Sequence, residues 1–176
     1  MNKVNIMLLM CCTLLLPFVS QAEVKQCQPQ LTSQLQLVGK SQLKVLFFRV
    51  YDAILHTDTG RYPDAETVAL NLHYLRDIQA EELIENTAKQ WQKLGYSDTA
   101  LQQQWLKQLK QLWPDVKKGD CLLAFTPDGK IINFYNNTGL LGTINSAQFT
   151  KQFLAIWLSE HSSYPKNRNE LIGTKP

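Results

Sequence analysis

From Leu35 to Leu55 the chain alternates. Leu35, Leu37, Gly39, Ser41, Leu43, Val45, Phe47, Arg49, Tyr51, Ala53 and Leu55 share one parity, the period of two that marks a strand. The opposite parity carries Gln36, Val38, Lys40, Gln42 and Lys44 and then Phe48, Val50 and Ile54. One face is wet at first. From Leu46 onward both faces are apolar, which predicts a strand entering the middle of a covered sheet. Gly39-Lys40-Ser41 is a site for a turn or bulge dividing two strands. Arg49, Tyr51 and Asp52 interrupt this apolar stretch, either as a ligand site or as the polar fringe of a sheet.

VALNLHYL (Val68 to Leu75) alternates again and predicts the next strand. Asp77 can cap a helix through Lys93, with Ile78, Leu83, Ile84, Thr87, Ala88 and Trp91 at helical spacing and Gly95 as its stop. Ser97 or Asp98 can cap a second helix whose stripe is Leu101, Trp105, Leu109, Leu112 and Trp113, stopped by Pro114. A meander of CLLAFT, KIINFY and LLGTI follows, with turns at Pro127-Asp128-Gly129 and Asn136 to Gly139. Asn145 or Ser146 caps an amphipathic helix, and Pro165 starts a last short one to Leu171. Strands, helices, a hairpin and more helices make an α+β domain on an antiparallel sheet.

The first residues, MNKVNIMLLMCCTLLLPFVSQA, combine a cationic start, a short apolar run and small residues at Ser20 and Ala22. That is the layout of a secretory signal peptide over 1–22 with cleavage after Ala22, leaving one domain over 23–176 exported to a bacterial periplasm. The apolar run is shorter than the roughly 20 residues a membrane span needs, and the mature chain holds no other candidate span. Lys and Arg number 18, one of them Lys3 in the leader, against 15 Asp and Glu. So even a balance, without a basic cluster, gives no footing for nucleic-acid binding. Cys11 and Cys12 leave with the leader. Cys27 and Cys121 remain, either bonded, as an oxidising compartment allows, or as separate thiols.

The chain lacks the nucleophile elbow, the paired-histidine zinc motif, the phosphate loop and the dinucleotide fingerprint. His56, His73 and His161 fall on different elements, so no metal site, cofactor or catalytic residue is assigned. Arg49 and Tyr51 share parity; on an unbulged strand they would point to one side, where they could hold an anion or pair locally. Arg76-Asp77 is a second candidate pair, or simply a strand-to-helix junction.

Five stretches then bear on family. GKSQLKVLFFRVYDAIL (Gly39 to Leu55), HYLRDI (His73 to Ile78), WPDVKKGD (Trp113 to Asp120), the turn Asn137-Thr138-Gly139 and QFLAIWLSE (Gln152 to Glu160) together resemble the chalcone isomerase-like family, most of all its exported bacterial branch. The resemblance implies a curved antiparallel sheet backed by helices, an open-faced β-sandwich with a cleft between the layers. Some relatives cyclise chalcones and others bind fatty acids. In the fatty-acid binders an Arg stands eight residues before a Tyr; Gly39, Lys44, Val50 and Tyr51 match that pattern, but Leu43 occupies the Arg position. Leucine cannot make the forked contacts by which Arg grips a carboxylate.

The expectation is therefore a non-catalytic domain binding a small apolar or amphipathic, fatty-acid-like ligand, or an envelope protein partner. Its cleft would be lined by Phe47, Tyr51, Tyr74 and Trp157, with Arg49 and Arg76 as candidate anchors. The alternative is an intramolecular lyase or isomerase acting on a chalcone-like enone.

Overall fold

The computed structural model describes residues 27–96 and 99–174. Six strands, β1 (Gln36–Val45), β2 (Phe48–Thr57), β3 (Val68–Tyr74), β4 (Cys121–Thr126), β5 (Ile131–Asn136) and β6 (Gly139–Asn145), form one open antiparallel sheet in sequential order. Helices α2 (Ala80–Lys93), α3 (Ala100–Leu112), α4 (Ala147–Leu158) and α5 (Pro165–Leu171) supply the second layer, and a single turn, α1 (Pro29–Thr32), precedes β1. The α+β architecture read from the sequence is the one the chain adopts.

The two faces of the sheet are covered differently. Leu55, Leu70, Leu72, Leu122, Ala124 and Phe134 bury their side chains in the main core with the helices. Ring contacts run through that core from Trp91 and Trp105 to Phe149, Phe153 and Trp157, with centroids 5.2–6.1 Å apart. On the alternate parity Ala69, Cys121 and Leu123 form a smaller cluster with Cys27. Cys27 is bonded to Cys121, their Cα atoms 5.8 Å apart, and this ties the segment around α1 to the sheet away from the main core. Of the two readings the sequence leaves open for these cysteines, bonded or separate, the structure has the bond.

The largest correction concerns Leu46 and Phe47. They are not the middle of a covered strand but the two-residue turn of the β1–β2 hairpin, flanked by the pair Val45 and Phe48. Apolar periodicity cannot separate a buried run from an apolar turn when the turn lacks its usual glycine or asparagine. Gly39 lies inside β1, beside a register shift between Leu37 and Gly39, so it marks a bulge rather than a turn. A Cβ there would collide with the carbonyl oxygens of Glu170 and Leu171, so the missing side chain lets α5 lie directly on β1.

Helix starts also differ from expectation. α2 begins at Ala80 after Gln79, and Asp77 instead accepts from the Lys118 backbone N–H at 2.8 Å; the free N–H of Ala80 is satisfied by Asp115. Thr99 caps α3 in a reciprocal box with Gln102. The caps expected at Ser97 or Asp98 lie outside the described residues. Ser146 caps α4, its hydroxyl accepting from the Phe149 N–H.

Candidate functional site

Between the sheet and the helices lies a cavity of about 900 Å³, counting its solvent-facing mouth. Its floor is the helix-facing parity of the strands: Leu43 from β1, Tyr51 and Ala53 from β2, and Leu70, Leu72 and Tyr74 from β3. Its roof comes from α2, α4 and α5. Ala53 and Ala124 line it with methyl groups where larger side chains would fill the space.

Tyr51 and Tyr74 are opposite one another across β2 and β3, with rings edge to face at 6.0 Å and 77°. The Trp157 indole N–H donates to the Tyr51 hydroxyl at 2.9 Å. Burial pushes the Tyr51 phenol well above its usual range, offset in part by the Trp157 bond and reinforced by Tyr164. Burial, then the neighbouring Tyr51, does the same to Tyr74. Both hydroxyls therefore keep their protons at neutral pH, which makes them hydrogen-bond donors and poor bases.

Most other polar groups in the lining are already engaged. The Asn167 amide donates to Ser41 Oγ at 2.7 Å and to the Gln42 carbonyl at 2.8 Å. Ser162 donates to the Ile156 carbonyl, and Gln90 accepts from Ser163. Arg168 is different. Its Nε donates to the Leu158 carbonyl at 3.2 Å and one terminal nitrogen to Asn169 at 3.1 Å, which fixes the guanidinium at the cavity wall with donor capacity to spare.

Of the four ligand-binding residues expected from sequence, the structure brings two to the cavity. Tyr51 and Tyr74 line it; Arg49 and Arg76 do not. Arg49 is exposed and pairs across the hairpin with Lys44. The reason is a bulge: Leu43 faces Tyr51 while Lys44 faces Arg49, so Val50 is extra and the shared parity of Arg49 and Tyr51 is broken. Arg76 is exposed with its guanidinium 5.6 Å above the Phe48 ring. Phe47 is likewise outside the cleft, whereas Trp157 lines it as expected.

The guanidinium that does line the cavity, Arg168, was not among the residues singled out. Its signal was present: Asn167, Arg168 and Leu171 stand at the three- and four-residue spacing of one helix face, and all three line the cavity. Leu43 sits beside Tyr51 as its cross-strand partner, so the departure from the fatty-acid binders' pattern falls inside the cavity itself.

The comparisons agree with this fold. A sequence profile described as chalcone isomerase-like matches residues 19–173. Among solved structures, a fatty-acid binding protein of Arabidopsis thaliana superposes with a TM-score of 0.61 at 12% identity, covering 80% of this chain and 87% of that one. At that identity the likeness is one of fold. No curated protein matches the chain by sequence. The profile match extends through every strand and helix described above, and the chain belongs to the chalcone isomerase-like family.

Proposed function

We propose that the protein binds, without chemically altering it, one small amphipathic molecule of fatty-acid type in the cavity between sheet and helices. The observation that carries this reading is the cavity's make-up: unfilled space walled by Leu43, Leu70, Leu72, Leu122 and Phe153, with only a few polar groups left to fix a ligand's orientation. An apolar chain would lie along that wall. An acidic head would take hydrogen bonds from the Arg168 guanidinium and the Tyr51 or Tyr74 hydroxyl. The fatty-acid binding protein of similar fold supports the ligand class.

Cyclisation of an enone fits less well. It needs a base, or a substrate phenolate steadied by cations, and the two phenols here are held protonated. An isomerase would turn over a chalcone, and Tyr51→Phe would abolish that turnover; we expect none.

We further propose that residues 1–22 are removed on export to the periplasm, leaving residues 23–176 as the working protein. The Cys27–Cys121 bond supports an oxidising compartment. Native mass spectrometry of protein purified without detergent tests the binding reading. One bound acyl-chain lipid per chain is expected, and a mass equal to the bare chain after incubation with palmitate would contradict it.

A further inference from the structure

The hairpin between β1 and β2 turns on Leu46 and Phe47 alone. Leu46 has φ +54°, in the left-handed region that Gly or Asn ordinarily supplies in so tight a turn. Phe47 is 96% exposed, Leu46 86% and Phe48 61%, and Val45 beside them is also exposed. None of the four belongs to either core cluster among the described residues. A contiguous apolar patch this exposed is the mark of an interaction surface.

Cations surround them. Lys44 and Arg49 form the cross-strand pair next to Val45 and Phe48, and Arg76 stacks on the Phe48 ring. All three are exposed, and among the described residues none of them is in an ion pair. The nearby carboxylates are turned to other uses: Asp52 accepts from Gln42 at 2.7 Å, and Asp77 from the Lys118 backbone.

We propose that this tip is a docking device for an anionic lipid bilayer. Leu46 and Phe47 enter the boundary between headgroups and acyl chains, Val45 and Phe48 follow, and Lys44, Arg49 and Arg76 lie at the level of the lipid phosphates. The charge pattern selects this occupant over a second copy of the chain, because two tips meeting would crowd six cations together. It also has a geometric consequence. Tyr51 is three residues along β2 from Phe48, about 10 Å at strand rise, so docking by the tip sets this end of the cavity beside the membrane. The inference goes beyond ligand binding and stands whether or not a ligand fills the cavity.

Co-sedimentation with vesicles of phosphatidylcholine, with and without phosphatidylglycerol, tests it. The chain is expected to sediment with the anionic vesicles and to be released by salt. Leu46→Gly combined with Phe47→Asn suits the turn and removes both apolar side chains. This variant should keep the unfolding midpoint and partition about tenfold less. Lys44→Gln with Arg49→Gln should lose the preference for phosphatidylglycerol. Absence of sedimentation with anionic vesicles would overturn the proposal, as would undiminished binding by the Leu46→Gly, Phe47→Asn variant. Concentration-dependent dimerisation that this variant abolishes would also overturn it, since the tip would then serve a second copy.

Discussion

The Trp157 indole N–H and the Tyr51 hydroxyl, 106 positions apart in the chain, meet at 2.9 Å on the wall of the cavity. The bond joins α4 to β2 and leaves the phenolic hydrogen of Tyr51 available to donate elsewhere. Tyr51→Phe keeps the ring against Tyr74 but strands the indole N–H. It should lower unfolding free energy by about 1–3 kcal/mol in urea titrations and weaken palmitate binding about tenfold.

Removing the Cys27–Cys121 bond acts on the side of the sheet away from the cavity. The bond spans 94 positions, so its loss frees a long loop in the unfolded chain. Cys27→Ser with Cys121→Ser should cost about 2–5 kcal/mol of stability by denaturant titration. Palmitate affinity of the fraction that remains folded should be unchanged, because neither cysteine lines the cavity.

Gly39 is where α5 touches β1. Gly39→Ala places a methyl group against the carbonyl oxygens of Glu170 and Leu171, and backbone cannot swing aside as a side chain can. A loss of about 1–3 kcal/mol is expected, as for overpacked sites generally. Because α5 also carries Arg168, ligand affinity should fall in the same variant, which calorimetry can separate from the change in melting temperature.

His56 should make stability depend on pH. Burial, and then the charge of Lys40, lower its pKa below the ordinary value near 6.5. The unfolded chain therefore takes up more protons than the folded one as pH falls through 6.5, and folding stability declines in that direction. His56→Gln should flatten the decline between about pH 6.5 and 5 in urea titrations at a series of pH values.

The antiparallel sheet, the strands β3 to β6 and several helix ends were legible because alternation, helical spacing and turn residues agree locally: CLLAFT became β4 unchanged, and Pro165 to Leu171 became α5. What escaped were features with no local signal. The hairpin at Leu46-Phe47 lacks turn chemistry, so its apolar residues read as core. The bulge at Val50 cannot be seen in composition, yet it alone separates Arg49 from Tyr51. Arg168 lines the cavity from α5, which lies on β1 at Gly39, a contact between residues far apart in the chain. Tyr51 and Tyr74 were found because strand parity survives from Tyr51 to Leu55 and throughout β3.

Palmitate titration of the delipidated protein beside its Ala53→Leu variant tests the central claim most directly. Ala53 is part of the cavity floor, and leucine there extends into unfilled space while leaving the hydrogen bonds of Tyr51 and Arg168 in place. Saturable one-to-one binding that quenches or shifts the intrinsic tryptophan fluorescence, to which Trp113 and Trp157 in the lining contribute, is predicted for the unaltered chain, with affinity falling at least about tenfold in the variant at undiminished stability. Equal affinity in the two proteins, or none in either, would contradict a ligand seated between the sheet and the helices.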